Sequence, residues 1–284
     1  MKAATPPPTP AAGDYKMTAA DFANIAEALR SATGISLSDG KAPLVYSRLA
    51  KRLRTLGLEN FRAYCDLLQE GDLGGEVQHL IAAMTTNVTS FFREPHHFDA
   101  LSACFAETLA HRARQGGRVR LWSAACSNGA EPYSMAMTIL SAMPDAQRFD
   151  VRVLATDIDP NMVDHARRAT YSKEALAPLS SSQRQQFFRH DDGYAVTDDV
   201  RALVQVNPLN LNGPWPMKGK FDIIFCRNVA IYFDEHTQEK LWARFAEVLN
   251  PGGLLCIGHS ERITGPGMRF LQASGLTSYK RVGL

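Results

Sequence analysis

The residues of this 284-residue chain best suited to chemistry lie where apolar runs give way to polar ones. The segment WSAACSNGAEPYS (122–134) supplies Ser123, Ala124, Ala125 and Gly129. All are small enough for a backbone to approach a ligand closely. It contains no GxGxxG, which argues against a dinucleotide site. Asp157 closes the next apolar run, 28 residues beyond Gly129. A carboxylate at that place accepts hydrogen bonds from the two ribose hydroxyls of an adenosine-type cofactor. The same DIDP sequence also suits a cap for the helix that follows, so both readings stand. FDIIFCRN (221–228) is a third apolar run with a polar end.

Metal chemistry is not expected. His96 and His97 are adjacent on a predicted helix and point about 100° apart. His259 and Glu261 do not form HExxH. Cys65, Cys104, Cys126, Cys226 and Cys256 are scattered, odd in number and never CxxC, so reduced thiols are expected rather than a disulfide framework or a structural zinc site.

These residues need elements to hold them. Hydrophobic residues are 45% and charged residues 21%, which excludes a wholly disordered chain. Lys plus Arg is 31 against 29 Asp plus Glu, so the net charge of +2 excludes a bulk polyanion binder. At about 150 residues per domain, the length predicts one large domain or two unequal ones. The Pro- and Ala-rich residues 1–17 read as a disordered tail without a signal peptide. No window is apolar for long enough to span a membrane. A cytoplasmic protein without membrane insertion is expected.

Residues 18–85 read as short helices. Thr18 and Asp21 make a cap-like start, Phe22, Ile25 and Leu29 follow at helical spacing, and Gly34 stops the helix. A second helix over 43–56 stacks Val45, Leu49, Leu53 and Leu56 on one stripe, flanked by Arg48 and Arg52, with Lys51 and Arg54 opposite. Five basic residues and no acidic one lie between Lys41 and Arg54. That face is either merely solvated or a docking surface for an acidic partner. Further helices are expected near 60–69 and 75–84.

The polar segment 86–94 reads as a linker. Pro95 opens a helix to about Arg114. Strands over 119–123, 151–156, 221–226, 254–258 and 277–282 then alternate with helices over 132–142, 161–168 and 235–249. Such alternation implies a mostly parallel sheet covered on both faces. The stretch 178–206 breaks it and reads as an insertion hairpin. Phe91, Phe92 and Phe98 are expected in the core.

The run FDIIFCRN, a helix, then LNPGG and a strand is similar to class I S-adenosylmethionine-dependent methyltransferases. TNVTSFFRE (86–94), WSAACSNGAEPYS (122–134), ATDID (155–159), FCRNVAIYF (225–233) and GHSE (258–261) narrow this. With the basic helix KAPLVYSRLAKRLRTLGL (41–58), they resemble the CheR family of chemoreceptor glutamate methyltransferases over residues 20–281. The resemblance implies an α/β fold: a Rossmann-like class I methyltransferase domain (95–284) with a small antiparallel β insertion, preceded by an all-α domain. It implies S-adenosylmethionine as methyl donor, S-adenosylhomocysteine as product and no metal. Asn87, Thr89, Arg93, Glu131, Asp157, Asn210, Leu211, Arg227 and Asn228 would form the cofactor pocket, and Arg93 and Tyr232 would orient a substrate glutamate. Arg48, Lys51, Arg52 and Arg54 would meet the methylation helices of chemoreceptors. The blander readings remain: Arg93 and Glu94 as a surface ion pair, and Tyr232 as a core aromatic.

The chain departs from the family pattern at Ala130, where a polar residue is usual, and at Ala230, where Met or Leu is usual. These changes motivate an alternative, a non-catalytic binder of S-adenosylmethionine or S-adenosylhomocysteine. A nucleic-acid base methyltransferase is disfavoured, because Arg227-Asn228-Val229-Ala230 stands where those enzymes carry Asn or Asp-Pro-Pro-aromatic. The insertion has only Gly193 in HDDGYAV, so binding of a C-terminal receptor pentapeptide is not expected. A monomer is expected.

Overall fold

The computed structural model describes residues 15–70 and 75–283. The expected tail, 1–17, lies mostly outside the described residues. The chain divides into two compact units between Thr86 and Asn87.

The first unit is helical. Helix α1 (Ala19–Thr33) opens on a reciprocal cap: the Thr18 hydroxyl accepts from the Asp21 N–H, and the Asp21 carboxylate accepts from the Thr18 N–H. It ends at Gly34, whose φ of 81° is the left-handed conformation that favours glycine. Helices α2 (Ala42–Leu56), α3 (Phe61–Gln69) and α4 (Glu76–Met84) follow. Phe22, Ile25 and Leu29 of α1, Val45, Leu49 and Leu53 of α2, and Leu80 and Ile81 of α4 are buried.

The basic helix α2 divides its charges. Arg48 donates to the carbonyls of Ala83, Met84 and Thr85, closing the C-terminal carbonyls of α4 that no helical N–H can reach. Arg52 makes a two-pronged pair with Glu76, with Nη2 to Oε2 at 2.6 Å. Both arginines therefore work inside the unit. Arg48 and Arg52, expected beside the apolar stripe and among the docking candidates, are thus engaged within the helical unit. Lys51 is exposed and Arg54 half-buried.

In the second unit, α5 (His96–Cys104) passes through one wide turn, Phe105–Leu109, into α6 (Ala110–Arg114). There follow β1 (Val119–Ala124), α7 (Ala130–Ala142), β2 (Val151–Asp157), α8 (Pro160–Arg168) and β3 (Thr170–Tyr171). Next come α9 (Ser181–Phe187), β4 (Phe188–Asp191), β5 (Gly193–Val196), α10 (Asp198–Leu203) and β6 (Val204–Pro208). The chain finishes with β7 (Phe221–Cys226), α11 (Glu235–Val248), β8 (Leu249–Ile257), β9 (Leu271–Gly275) and β10 (Ser278–Arg281).

The main sheet runs β6-β2-β1-β7-β8-β10-β9. Strands β6, β2, β1, β7 and β8 are parallel, and β10 inserts antiparallel between β8 and β9. This is the class I methyltransferase arrangement. The period-2 alternation of strand side chains builds a core on each face. Leu121, Ile223 and Phe225 join the helices α5 and α7 on one side, while Trp122, Ile224 and Cys226 pack with Trp242 and Phe245 of α11 on the other. Strand order reverses between β1 and β7, so the crevice at their carboxyl ends is where such a sheet binds ligands.

The structure corrects the boundaries of the insertion. A small antiparallel sheet, β3-β5-β4, holds its strands, but Val204–Pro208 is the parallel edge strand of the main sheet and not part of a hairpin. The segment 86–94 is also no free connector: Phe91 is buried against Tyr171 and Phe188, and the Phe92 N–H donates to the Ser134 hydroxyl. All five cysteines are free. Among the described residues, no helix is long and apolar enough to cross a membrane.

The division of labour on α2 is testable. Arg52→Ala strands the buried Glu76 carboxylate and should cost about 2 kcal/mol of stability, whereas Lys51→Ala should cost less than about 0.5 kcal/mol. Urea unfolding of the full chain measures both. Equal losses would contradict the assignment.

Candidate active site

Six segments meet at the carboxyl edge of the parallel strands: 87–94, the loop after β1, the end of β2, the turn after β6, the loop after β7 and the turn after β8. The loop after β1 depends on unusual backbone. Ala125, Ser127 and Gly129 have φ of 64°, 50° and 93°. A Cβ at Gly129 would come within 2.8 Å of the Tyr171 hydroxyl and 3.0 Å of the Ala166 Cα, so glycine serves both the turn and the close packing. The Asn128 side chain accepts from the Ala130 N–H at the start of α7. Ala130 is buried there.

Asp157 is buried at the end of β2. Its Oδ2 accepts from the Ser127 N–H at 2.7 Å and its Oδ1 from the Asp159 N–H at 2.9 Å. Burial pushes its carboxyl up to about 6, against the pull of those two N–H donors. The cap of α8 is Asp159, which accepts from the Asn161 N–H; Asp157 is therefore not that cap. Asp159 also accepts from the Asn87 side chain at 2.8 Å, and the Asn87 carbonyl accepts from the Ser127 hydroxyl at 3.0 Å. Segment 87–94 is thereby fastened over the ends of β1 and β2. Thr89 lies half-buried on it. The Leu209 N–H donates to the Asp157 carbonyl, which brings Asn210 and the buried Leu211 beside the same strand end.

The centre of the constellation is Arg227, whose side chain is 2% exposed. Its guanidinium stands 3.3 Å from Glu131 and 3.7 Å from Glu94, and it donates to the Arg93 carbonyl. It lies 5.7 Å from the ring centroids of both Phe98 and Phe225. Arg227, expected to complete the cofactor pocket, here ties Glu94, Glu131 and the Arg93 carbonyl together. Burial raises Glu131 above the ordinary carboxylate range, outweighing Arg227 and the Ser123 hydroxyl that donates to it at 2.7 Å. Burial also works against ionisation of Glu94, but Arg227, His259 and His97 together hold it below that range. Glu94 pairs with these groups and not with its neighbour Arg93, so the surface-pair reading fails.

The Arg93 side chain turns back to donate to the Val88 carbonyl at 2.8 Å. Phe92 and Glu94 on either side have φ of 52° and 55°, so the turn that presents Arg93 is a strained one. Tyr232 is 36% exposed, on a short helical turn over Ala230–Tyr232, and is no core aromatic. Asn228, with φ of 60°, begins the loop that carries it.

Ligand atoms of Glu94, His96 and His97 lie within 4.8 Å of one another. The two histidine rings are 4.1 Å apart, and both approach the Thr277 hydroxyl, so adjacency on the helix does not separate them as expected. Burial and Arg227 push His97 down to about 4, which leaves it neutral at pH 7. The cation beside Glu94 is Arg227, at 3.7 Å.

Glu94, Ser127, Asp159 and Glu261 join the constellation without a role that the sequence motifs assign them. Glu94 and Glu261 stand inside the quoted motifs; their signal is an acidic residue in a segment otherwise heading for burial.

Residues 87–278 match the family model described as "CheR methyltransferase, SAM binding domain", and residues 20–85 match "CheR methyltransferase, all-alpha domain". A probable chemotaxis protein methyltransferase of Rhizobium etli is 48% identical over 255 residues, covering 88% of this chain and 95% of the relative. Chemotaxis protein methyltransferase 2 of Pseudomonas aeruginosa is 42% identical over 270 residues, covering 92% and 93%. The chemotaxis protein methyltransferase of Escherichia coli is 41% identical over 258 residues, covering 88% and 87%. A seven-stranded sheet whose switch-point crevice gathers Asp157, Glu131 and Arg227, together with likeness over 88–92% of the chain, establishes that the chain belongs to the CheR family of S-adenosylmethionine-dependent methyltransferases.

Proposed function

We propose that this chain transfers a methyl group to side-chain carboxylates of glutamates on cytoplasmic methylation helices of chemoreceptors, and that it works as a cytoplasmic monomer without a metal. S-Adenosylmethionine supplies an electrophilic methyl on a sulfonium sulfur. The donor set suits it. Asp157, already holding two N–H groups, is placed to accept ribose hydroxyls. Asn210 and Leu211 would flank the adenine, and Asn87, Thr89 and Asn228 would border the pocket. Glu131 lies toward the methionine end.

A glutamate side chain has a reference pKa of about 4.3 and is ionised at neutral pH, so no base is required. With the donor held there, the carboxylate oxygen would take the methyl carbon while the sulfur–carbon electron pair returned to sulfur, so that the two charges would cancel. The protein's tasks are alignment and exclusion of water. Arg93 and the Tyr232 hydroxyl are the groups assigned to the substrate carboxylate. An Arg already donating to the Val88 carbonyl, acting with a Tyr hydroxyl, would orient an oxygen without the tight two-pronged pair that would blunt it. The observation that carries this reading is Arg227, which binds Glu131 on the cofactor side and the Arg93 carbonyl on the substrate side. Lys51 and Arg54 are the basic side chains of α2 not engaged as Arg48 and Arg52 are, and they are assigned to the acidic receptor helix.

The non-catalytic alternative gains nothing from Ala130 or Ala230. Both are buried, and their backbone N–H groups are bonded to Asn128 and Glu261.

A tritiated methyl-transfer assay on membranes carrying a cognate chemoreceptor should give base-labile methyl esters. In that assay Arg93→Ala and Tyr232→Phe should lower kcat by about tenfold or more while cofactor affinity stays within about twofold. Charge reversal by Lys51→Glu with Arg54→Glu should raise KM for receptor in a salt-dependent way. Unchanged kcat in both site variants would contradict the assignment.

Asp157 gives a pH dependence. Its carboxyl titrates near 6 in the folded chain. Ribose hydroxyls donate to the ionised form, so S-adenosylhomocysteine affinity should be full at pH 7.5 and fall by up to about tenfold per unit below pH 6. The folding term has the opposite sign. The folded state binds this proton before the unfolded state does, so ionised Asp157 costs stability above pH 6 and that cost disappears as pH falls. Calorimetry across pH 7.5 to 5 should show the loss of affinity in the native chain and little pH dependence in Asp157→Asn. A flat native profile would contradict the role.

A further inference from the structure

We infer that Glu261 is the positioning residue for the substrate side of the active site, acting through the loop that carries Asn228 and Tyr232. The inference rests on the proposed glutamate transfer and names a group outside the site residues assigned above.

Glu261 follows β8 and is 3% exposed, yet its side chain meets no cation in a hydrogen bond or ion pair among the described residues. Its carboxylate accepts four backbone N–H groups instead. Oε1 takes those of Val229 at 2.8 Å and Ala230 at 2.7 Å; Oε2 takes those of Asn228 at 3.1 Å and Gly258 at 2.5 Å. Three consecutive N–H groups converge because Asn228 is left-handed, with φ of 60°. Such a run of donors is an anion-binding nest. Here the anion is the protein's own side chain.

The loop has few other ways to hold this form. It leaves a fully buried strand and reaches the short turn Ala230–Tyr232, in which the Tyr232 N–H donates to the Val229 carbonyl. Without an acceptor, buried N–H groups at 228–230 would pull the loop toward water. The packing leaves no slack. A Cβ at Gly258 would lie 2.6 Å from Asn228 Nδ2, 2.7 Å from Asn228 N and 2.9 Å from Glu261 Oε2. Strand β8 therefore fixes the exit of β7 through one carboxylate. On the other flank, Arg227 holds the Arg93 turn. The two groups assigned to the substrate carboxylate are thus set by separate buried ions, Arg93 by a guanidinium and Tyr232 by a carboxylate.

Glu261→Gln is the direct test. An amide keeps the volume, but its NH₂ must face two of the four N–H donors. Three readings on the full-length protein are compared with wild type: methyl transfer to receptor membranes, equilibrium binding of S-adenosylhomocysteine, and amide hydrogen exchange by mass spectrometry. The expected result is a fall in kcat of about 100-fold, a much smaller loss of cofactor affinity through Asn228, of less than about tenfold, and faster exchange confined to residues 228–232. Glu261→Asp, which keeps the charge but retracts it by one methylene, should show the same split if Glu261→Gln does not fold. Wild-type kcat or unchanged exchange at 228–232 would overturn the inference. So would faster exchange throughout β1, β2 and β8 with cofactor affinity lost in parallel, which marks a residue needed only for the fold. Failure of wild type to methylate receptors would instead contradict the proposed reaction, and the exchange reading would still decide the role of Glu261.

Discussion

A single buried guanidinium organises this site. Arg227 leaves the end of a strand on which every residue is buried, and it cannot reach bulk water. A charge in that position must be paired, or its desolvation would outweigh local packing. Glu94 and Glu131 supply the pairing from two other segments, and the Arg93 carbonyl takes a further donor. The requirement to satisfy one arginine therefore fixes three pieces of chain that are distant in sequence. Burial keeps Glu131 above the ordinary carboxylate range even with Arg227 beside it, and the nearby Glu94 adds to that in a smaller way. A cationic ligand group arriving beside Glu131 would offset that rise.

The fold prepares this arrangement in layers. Parallel strands with a core on each face place every loop of interest at one edge. Glycine and left-handed residues then shape those loops: Gly129 allows the loop after β1 to press on α8, and Asn228 gathers three N–H groups toward Glu261. Hydrogen bonds from Ser127 and Asn87 lock segment 87–94 over the strand ends. Beside them Arg93 folds back onto the Val88 carbonyl and Tyr232 stays 36% exposed.

The architecture was legible in the sequence because hydrophobic periodicity reports burial directly. The strands at 119, 151 and 221 and the helices around them emerged within a few residues of their true ends. Strand β6 was not legible, since it lies at the sheet edge, is only partly buried and lacks a continuous apolar run. The placing of Asp157 and Glu131 at the strand ends was legible, because motifs carried both. Their partners were not. Arg48 and Arg52 read as surface charges, yet they close helix α4 and pair with Glu76. Glu261 read as a failed zinc motif, yet it serves as the counterpart of a nest. A sequence shows that a polar residue is present; which buried donor or acceptor it satisfies is decided by strand order, which no local pattern reports.

The most direct test of this account is Arg227→Lys, because lysine keeps the charge and loses the fork that reaches Glu94, Glu131 and the Arg93 carbonyl at once. Single-turnover methyl transfer and equilibrium S-adenosylhomocysteine binding should be measured together on the folded variant. The account predicts transfer reduced by about 100-fold or more with affinity weakened by about tenfold, since Arg227 serves both sides of the site. A variant that binds and transfers like the native chain would contradict it.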